Sequence, residues 1–107
     1  MIISTTHSIP GKKITKVFGL CRGNTIRARH LGTDILAGLK NLVGGEILEY
    51  TKLMAESREQ AIDRMIEEAG RMGANAIVGL HFSTSMIMGA AAELLAYGTA
   101  VYVEDEK

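Results

Sequence analysis

The stretch Leu94-Leu95-Ala96-Tyr97-Gly98-Thr99-Ala100-Val101-Tyr102-Val103 decides the fold, because it is a strand sequence that is apolar on both faces. Successive side chains of a strand point to opposite sides of the sheet. One face carries Leu95, Tyr97, Val101 and Val103, and the other carries Leu94, Ala96, Gly98, Ala100 and Tyr102. A sheet face that meets water usually alternates with polar residues, so this pattern predicts a strand that is covered on both sides.

The segment before this strand predicts helices. Apolar residues recur at helical spacing from Asp34 to Val43, and again from Glu46 to Met72 after the interruption at Gly44-Gly45. The second stripe stays in phase throughout, so we predict one helix on the order of 40 Å long, at about 1.5 Å per residue. Gly73 is expected to end it. A capping-box pattern at Ser57-Arg58-Glu59-Gln60 leaves a second helix start there as the alternative.

Three further segments have strand character. Ile2–Thr6 is a short segment that ends before a Pro-Gly turn signal. Residues 13–29 are extended, either as one strand or as two strands joined near Arg22-Gly23-Asn24. Side chains from Ala74 to Ser85 follow the two-residue alternation of a strand. In the last segment we expect one face to carry Ala76, Val78, Leu80 and Phe82, and the other to carry Ile77, Gly79, His81, Ser83 and Ser85.

The element order is therefore β-β-α-α-β-β within a single domain of residues 1–107. Strands grouped on either side of the helices predict an α+β fold with two layers, a mainly antiparallel sheet and helices on one sheet face. A chain of this length has little left to cover the other face, and a second copy is the simplest cover for an apolar surface. We predict a homo-oligomer whose interface contains Leu95, Tyr97, Val101 and Val103.

Composition and charge exclude several classes of function. The net charge is zero and the pI about 6.8, whereas a nucleic-acid-binding domain is usually basic overall, so no nucleic-acid partner is expected. Cys21 is the single cysteine, which excludes a disulfide framework and a CxxC motif. We find neither a signal peptide nor a run of the roughly 18–20 apolar residues that span a membrane. These features predict a cytoplasmic protein without a membrane partner.

The charges are unevenly distributed along the chain. Residues 1–45 contain seven Lys and Arg against one acid, and residues 46–107 contain five against eleven. The basic face consists of Lys12, Lys13, Lys16, Arg27 and Arg29, and the acidic helix surface of Glu49, Glu56, Glu59, Asp63 and Glu67. We expect these surfaces to be solvated or to face each other, within a subunit or between copies.

Few side chains offer chemistry. The soft metal ligands are Cys21, His7, His30 and His81, and none of them is paired at the i, i+2 to i, i+4 spacings of metal sites. Structural roles explain them more simply, with Cys21 as a small buried hydrophobe, so Cys21 and His81 are weak metal candidates. The serines that follow His81 lack an orienting acid and an oxyanion site. No catalytic residue and no cofactor site are predicted.

A set of positions spans nearly the whole chain. It comprises Ser4-Thr5-Thr6, Pro10-Gly11, Asp34, Gly44-Gly45-Glu46, Tyr50, Arg58, Ala61, Gly73-Ala74-Asn75-Ala76-Ile77-Val78-Gly79 and Tyr97-Gly98-Thr99-Ala100-Val101. In this combination the chain resembles the YbjQ-like family, small bacterial and archaeal proteins of uncharacterised function that carry a heavy-metal-binding label. The resemblance implies an α+β subunit that assembles into rings, typically pentamers. It supplies no ligand motif and no catalytic residues for this sequence.

Two hypotheses about function follow from the sequence. The first is a non-enzymatic homo-oligomer, most simply a pentamer, which acts as an assembly protein. The alternative is the binding of a metal or a small ligand in a cleft or pore between subunits. An enzyme is not favoured, because the sequence contains no catalytic constellation.

Overall fold

The computed structural model describes residues 1–27, 45–87 and 91–106, with no side-chain detail for 27, 45–51, 86–87 and 91–92. These ranges contain strands β1 (Ile2–Ile3) and β2 (Lys12–Arg27), helix α1 (Gly45–Met72), and strands β3 (Ala76–Ile87) and β4 (Ala91–Asp105). The order matches the prediction for the part of the chain that is described. The first predicted helix, from Asp34 to Val43, lies outside the described residues.

The four strands form one mixed sheet in the order β1-β3-β4-β2. Central strand β4 is antiparallel to both β2 and β3, while β1 runs parallel to β3. Helix α1 packs against β2 and β4 on one sheet face. The α+β class, the mainly antiparallel sheet and the placement of helix on one face are thereby confirmed.

Strand β2 is a single strand of 16 residues, so the two-piece alternative for this segment is wrong. Its pairing with β4 slips between Ile14 and Lys16 and again between Val17 and Gly19. Gly19 has a φ of 115°, which a residue with a Cβ adopts only at a cost. The segment therefore alternates cleanly only after the second irregularity, from Leu20 onward.

Helix α1 is continuous over 28 residues, and a second helix start at Ser57 is wrong. The Ser57 hydroxyl donates to the carbonyl oxygen of Leu53, 2.9 Å away, so it bonds back into the helix. After Met72, Gly73 takes a φ of 96°. Its N–H donates to the Gly70 carbonyl and the N–H of Ala74 donates to the Ala69 carbonyl, both at 3.1 Å, which is a Schellman C-cap.

The main core lies between α1 and the sheet. Helix residues Ala61, Met65 and Ala69 are fully buried against Cys21, Ile77, Leu80, Leu94, Ala96 and Ala100. The helix backbone comes very close to β2 at Gly23. A Cβ at that position would lie 2.2 Å from the Ala61 carbonyl oxygen and 2.4 Å from the Met65 nitrogen, so a glycine is required there.

A smaller core cluster lies on the opposite sheet face, at the end nearest the N-terminus. It contains Ala76, Val78, Val101 and Val103, with Ile9 packed against them. The chain before Ile9 runs along the outer edge of β3, where the N–H of Ser4 donates to the Ile77 carbonyl at 2.9 Å and the N–H of Gly79 donates to the Thr6 carbonyl at 2.9 Å. The N-terminal segment thus covers, within the subunit, one end of the sheet face for which the sequence predicts a second copy as the cover.

The predicted faces of β3 are wrong beyond Val78. The pairing of β3 with β4 slips between Val78 and His81, and Gly79 has a φ of 64° within this slip. A bulge inserts an extra residue and reverses which side chains point to each face. Consequently Leu80 joins Ile77 in the core beneath α1, whereas Ala76 and Val78 lie on the other face.

Candidate functional site

We call the sheet face opposite α1, beyond the cover of Ile9, the open face. Strand pairing arranges its side chains in rows that cross β2, β4 and β3. From the covered end outward, the rows are Leu20, Thr99 and Val78, then Arg22, Tyr97 and His81, then Asn24, Leu95 and Ser83, then Ile26, Glu93 and Ser85.

The predicted interface residues divide into two pairs. Val101 and Val103 are 1% and 5% exposed, because they pack with Ile9 in their own subunit. Leu95 and Tyr97 are half-buried on the open face. The interface itself stays a prediction, but little of Val101 and Val103 remains for a second copy to contact.

Sequence reasoning missed the most exposed apolar residues of this sheet face. They are Val17, Leu20 and Ile26 of β2, with exposed fractions of 62%, 59% and 58%. The pairing slips in β2 hide them, since the apolar residues upstream of Leu20 do not follow a period of two. A clean signal exists only in the run from Leu20 to Ile26, where exposed residues alternate with buried ones.

The second row of the open face brings three polar side chains together. Arg22 of β2, Tyr97 of β4 and His81 of β3 are direct neighbours in the register. The rings of His81 and Tyr97 are tilted by 41° with centroids 5.8 Å apart. Arg22 and His81 are exposed and Tyr97 is half-buried between them. A guanidinium, a phenol and an imidazole are donors to an anion rather than a typical ligand set for a cation.

Sequence reasoning assigns Arg22 no functional role, because Arg22-Gly23-Asn24 has the composition of a turn. Gly23 serves instead the close approach of α1 to β2. The usable signal was the alternation of Arg22, Asn24 and Ile26 on one face with buried Cys21 and Thr25 on the other.

The two weak metal candidates lie on opposite faces of the sheet. Cys21 is fully buried beneath α1, and its thiol donates to the Gly98 carbonyl at 3.6 Å. Burial, followed by the negative charge of Glu68, raises the pKa of the Cys21 thiol. His81 is exposed on the open face. A single metal ion therefore cannot bind Cys21 and His81 at the same time.

These residues do not fit a heavy-metal site. Soft metals bind the thiolate form of cysteine, which the buried environment of Cys21 disfavours. Within the described residues, no group of three His, Cys, Asp or Glu side chains is placed to hold a metal ion. His7 lies near Gly79, 3.3 Å from where a Cβ would be, and His30 is outside the described residues.

Within the described residues, no ion pair joins the predicted basic face to the acidic helix surface. Lys12 pairs with Asp105 rather than with a helix acid, and this pair lowers the pKa of the exposed Asp105 carboxyl. Arg71 pairs with Glu67 within α1 at 2.9 Å. The side chains of Arg27, Arg29 and Glu49 lie outside the part that the structure describes.

Two side chains of α1 cap the outer edge of β2 at Arg22 and Asn24. The Arg64 guanidinium donates to the Asn24 carbonyl oxygen at 2.5 Å, and a Glu68 carboxylate oxygen accepts from the Arg22 N–H at 3.3 Å. These are the backbone groups that an added strand would use. We call this arrangement the edge cap.

No helix in the described ranges has the length and apolar character needed to cross a membrane.

Comparison with known proteins identifies the family. Residues 1–104 match the YbjQ_1 family, whose description reads "Putative heavy-metal-binding". A UPF0145 protein of Methanosarcina acetivorans is 58% identical over 103 residues, which cover 96% of this chain and 97% of that protein. A UPF0145 protein of Clostridioides difficile is 54% identical over 106 residues, or 99% and 95% of the two chains.

A solved structure has the same fold. It is a crystal structure of a protein of unknown function in the DUF74 family, from Pediococcus pentosaceus. The likeness has a TM-score of 0.64 and covers 97% of this chain and 98% of that one, at 18% sequence identity. At such low sequence identity the match supports a shared fold and nothing more. The family match and the close relatives confirm the resemblance seen in the sequence, and the chain belongs to the uncharacterised YbjQ family of UPF0145 proteins.

Proposed function

We propose that this chain is a cytoplasmic, non-catalytic assembly protein, whose copies meet through the sheet face opposite α1, along β2. The exposure of Val17, Leu20 and Ile26 carries the proposal. Three large aliphatic side chains on one strand face, next to half-buried Leu95, form the kind of apolar surface that protein contacts cover.

The free energy gained by burying these side chains is comparable to the cost of association. Full burial of a Val, Leu or Ile side chain contributes roughly 1.5–3 kcal/mol, so three of them approach the several kcal/mol that association costs. Each further contact with the flanking residues then adds to net affinity. One such patch supports an interface of modest strength, and a ring repeats it at every junction.

Charge favours a second copy of the same chain as the occupant. Arg22 of β2 is exposed on the open face, and the outward face of α1 exposes Glu56, Glu59 and Asp63. An apolar β2 surface that carries Arg22 complements an acidic surface on a neighbouring copy. Contacts between two different patches generate rings when the rotation closes, and the resemblance to a ring-forming family supports five copies.

Native mass spectrometry and light scattering of untagged protein test the assembly. We expect a multimer for the wild type and dissociation for Leu20→Asp, because the substitution places a charge in an apolar contact. Phe82→Asp is the matched control. Phe82 is also a large apolar residue, 42% exposed, but its partner Ala96 packs beneath α1, so it lies on the other sheet face.

A monomeric wild type would refute the assembly. Dissociation by Phe82→Asp with an intact Leu20→Asp multimer would refute the choice of face. The alternative function, ligand binding in a cleft between copies, is favoured by the polar row on the open face, and a small anion suits that row better than a metal.

A further inference from the structure

We propose that Arg22, Tyr97 and His81 form a binding site for an oxyanion, the phosphate or carboxylate group of a small molecule. The site deepens the proposed function by placing a ligand on the face where copies meet. All three residues nevertheless come from one subunit, so the site and the assembly are separable by experiment.

The geometry brings three donors to one place. Residues directly opposite each other on neighbouring strands have Cβ atoms about 4.5–5.5 Å apart, and their side chains stand roughly perpendicular to the sheet. Tyr97 is opposite both Arg22 and His81, and the ring centroids of His81 and Tyr97 are 5.8 Å apart. Guanidinium, hydroxyl and imidazole N–H donors are therefore presented side by side, at a spacing that one tetrahedral or planar oxyanion spans.

The charge at this position is positive. Within the described part of this sheet face, Lys12 is paired with Asp105, whereas the Arg22 guanidinium has no ion-pair partner. Among the described residues of the open face, the acid is Glu93, whose backbone is four residues, or about 13 Å, from Tyr97 along β4, while its carboxylate reaches the row next to Arg22. The Glu93 carboxylate accepts a hydrogen bond from the Asn24 amide at 3.3 Å. An arginine without a carboxylate partner binds phosphate or carboxylate in a two-pronged geometry.

The backbone holds Arg22 in position for this role. Its N–H donates to Glu68 at the strand edge, and the next carbonyl on that edge, of Asn24, accepts from Arg64. Glu68 thus contacts the backbone of Arg22, while the Arg22 side chain projects from the open face. A fixed backbone lowers the ordering cost of binding. Exposed Leu20 and half-buried Leu95, in the rows on either side, give a ligand's carbon skeleton apolar surface to contact.

An NMR titration at constant ionic strength tests the site, with inorganic phosphate as the first probe and acetate as the second. We expect saturable shifts of the His81 and Tyr97 ring signals, with a dissociation constant on the order of 1 mM for so open a site. Arg22→Gln should weaken phosphate binding about tenfold or more, because it removes the charged two-pronged donor. Tyr97→Phe should weaken it less, because the fold is kept and one hydroxyl is lost.

Lys16→Gln is the matched control. It also removes one positive charge from β2, but the Lys16 ammonium lies over the Phe18 ring, 4.9 Å from its centroid, and Phe18 packs against the core beneath α1. Equal weakening by Lys16→Gln and Arg22→Gln would overturn the site in favour of general charge attraction, and so would an absence of saturable shifts with both anions. Acetate binding without phosphate binding would assign the site to carboxylates, and the reverse to phosphates.

Native mass spectra of the same samples separate the two proposals. A monomer that binds phosphate through Arg22 would refute the assembly and leave the anion site standing. An intact multimer whose His81 and Tyr97 signals stay unchanged would refute the anion site alone.

Discussion

Replacing Gly23 by alanine tests the packing of α1 on β2 most directly. An alanine Cβ would lie 2.2 Å from the carbonyl oxygen of Ala61, 2.4 Å from the nitrogen of Met65 and 2.8 Å from the Cβ of Arg64. Two of these atoms belong to the helix backbone, so no change of rotamer relieves the contact. Either α1 moves away from the sheet or β2 bends, and both loosen the packing around Met65.

The expected cost follows from other overpacked cores. Forcing one extra methyl group into a packed site costs typically 1–3 kcal/mol, and contact with a rigid backbone places Gly23→Ala at the upper end. Near the midpoint of thermal unfolding, about 1 kcal/mol corresponds to roughly 4–8 °C for a domain of this size. We therefore expect the melting temperature to fall by about 10–20 °C, and the urea midpoint to fall with it.

Gly70→Ala is the matched control within α1. A Cβ at Gly70 meets nothing within 4 Å, and alanine has a higher helix propensity by up to about 1 kcal/mol. We expect Gly70→Ala to melt at or above the wild-type temperature, as followed by circular dichroism at 222 nm. Removing the side chain of Met65 should not rescue Gly23→Ala, because the contact is with the Met65 nitrogen. A Gly23→Ala protein as stable as the wild type would falsify the close helix approach.

Two further predictions concern the buried sites of the sheet. Val101→Asp should unfold the subunit or lower its stability to urea by several kcal/mol, because it buries an unpaired charge beside Ile9. Tyr97→Asp should still fold, because Tyr97 is only half-buried. Equal urea midpoints for the two variants would contradict this placement. The Cys21 thiol should react with an alkylating agent far more slowly in the folded than in the urea-unfolded protein. Because the pKa of the Cys21 thiol is raised in the folded state, the unfolded state loses the thiol proton first as the pH rises. The free energy of unfolding should therefore decline above the ordinary thiol pKa of about 8.5. The same decline in a Cys21→Ala variant would assign the pH dependence to other groups.

The elements could be predicted because their signals are local. The apolar stripe from Glu46 to Met72 needs only helical periodicity, and Gly73 supplies the left-handed residue of the C-cap. Strand β4 is central, and its two apolar faces indicate burial on both sides. Each of these inferences uses neighbours in sequence, which is the information that a single sequence carries.

The register and the site could not be predicted because they depend on contacts between distant residues. Gly79 shifts the faces of β3, yet a period of two contains no sign of the slip. Gly23 is set by the approach of Ala61 from α1, and in the sequence it resembles a turn residue. Ile9 packs against Val101, which lies near the other end of the chain, so no local sequence pattern predicts that Val101 is covered.

The edge cap protects one stretch of β2 from pairing with a further strand. At β2, Arg64 and Glu68 occupy the backbone groups that would template a further strand, and among the described residues no such partner lies along β3 from His81 to Ile87. A strand added at β2 would have to displace both contacts, so this stretch of the edge is protected against cross-β pairing while α1 stays folded. Arg64 and Glu68 lie among Ala61, Met65 and Ala69, which are fully buried in the main core. The protection of this edge should therefore last as long as the core does, because core elements open only with the whole domain.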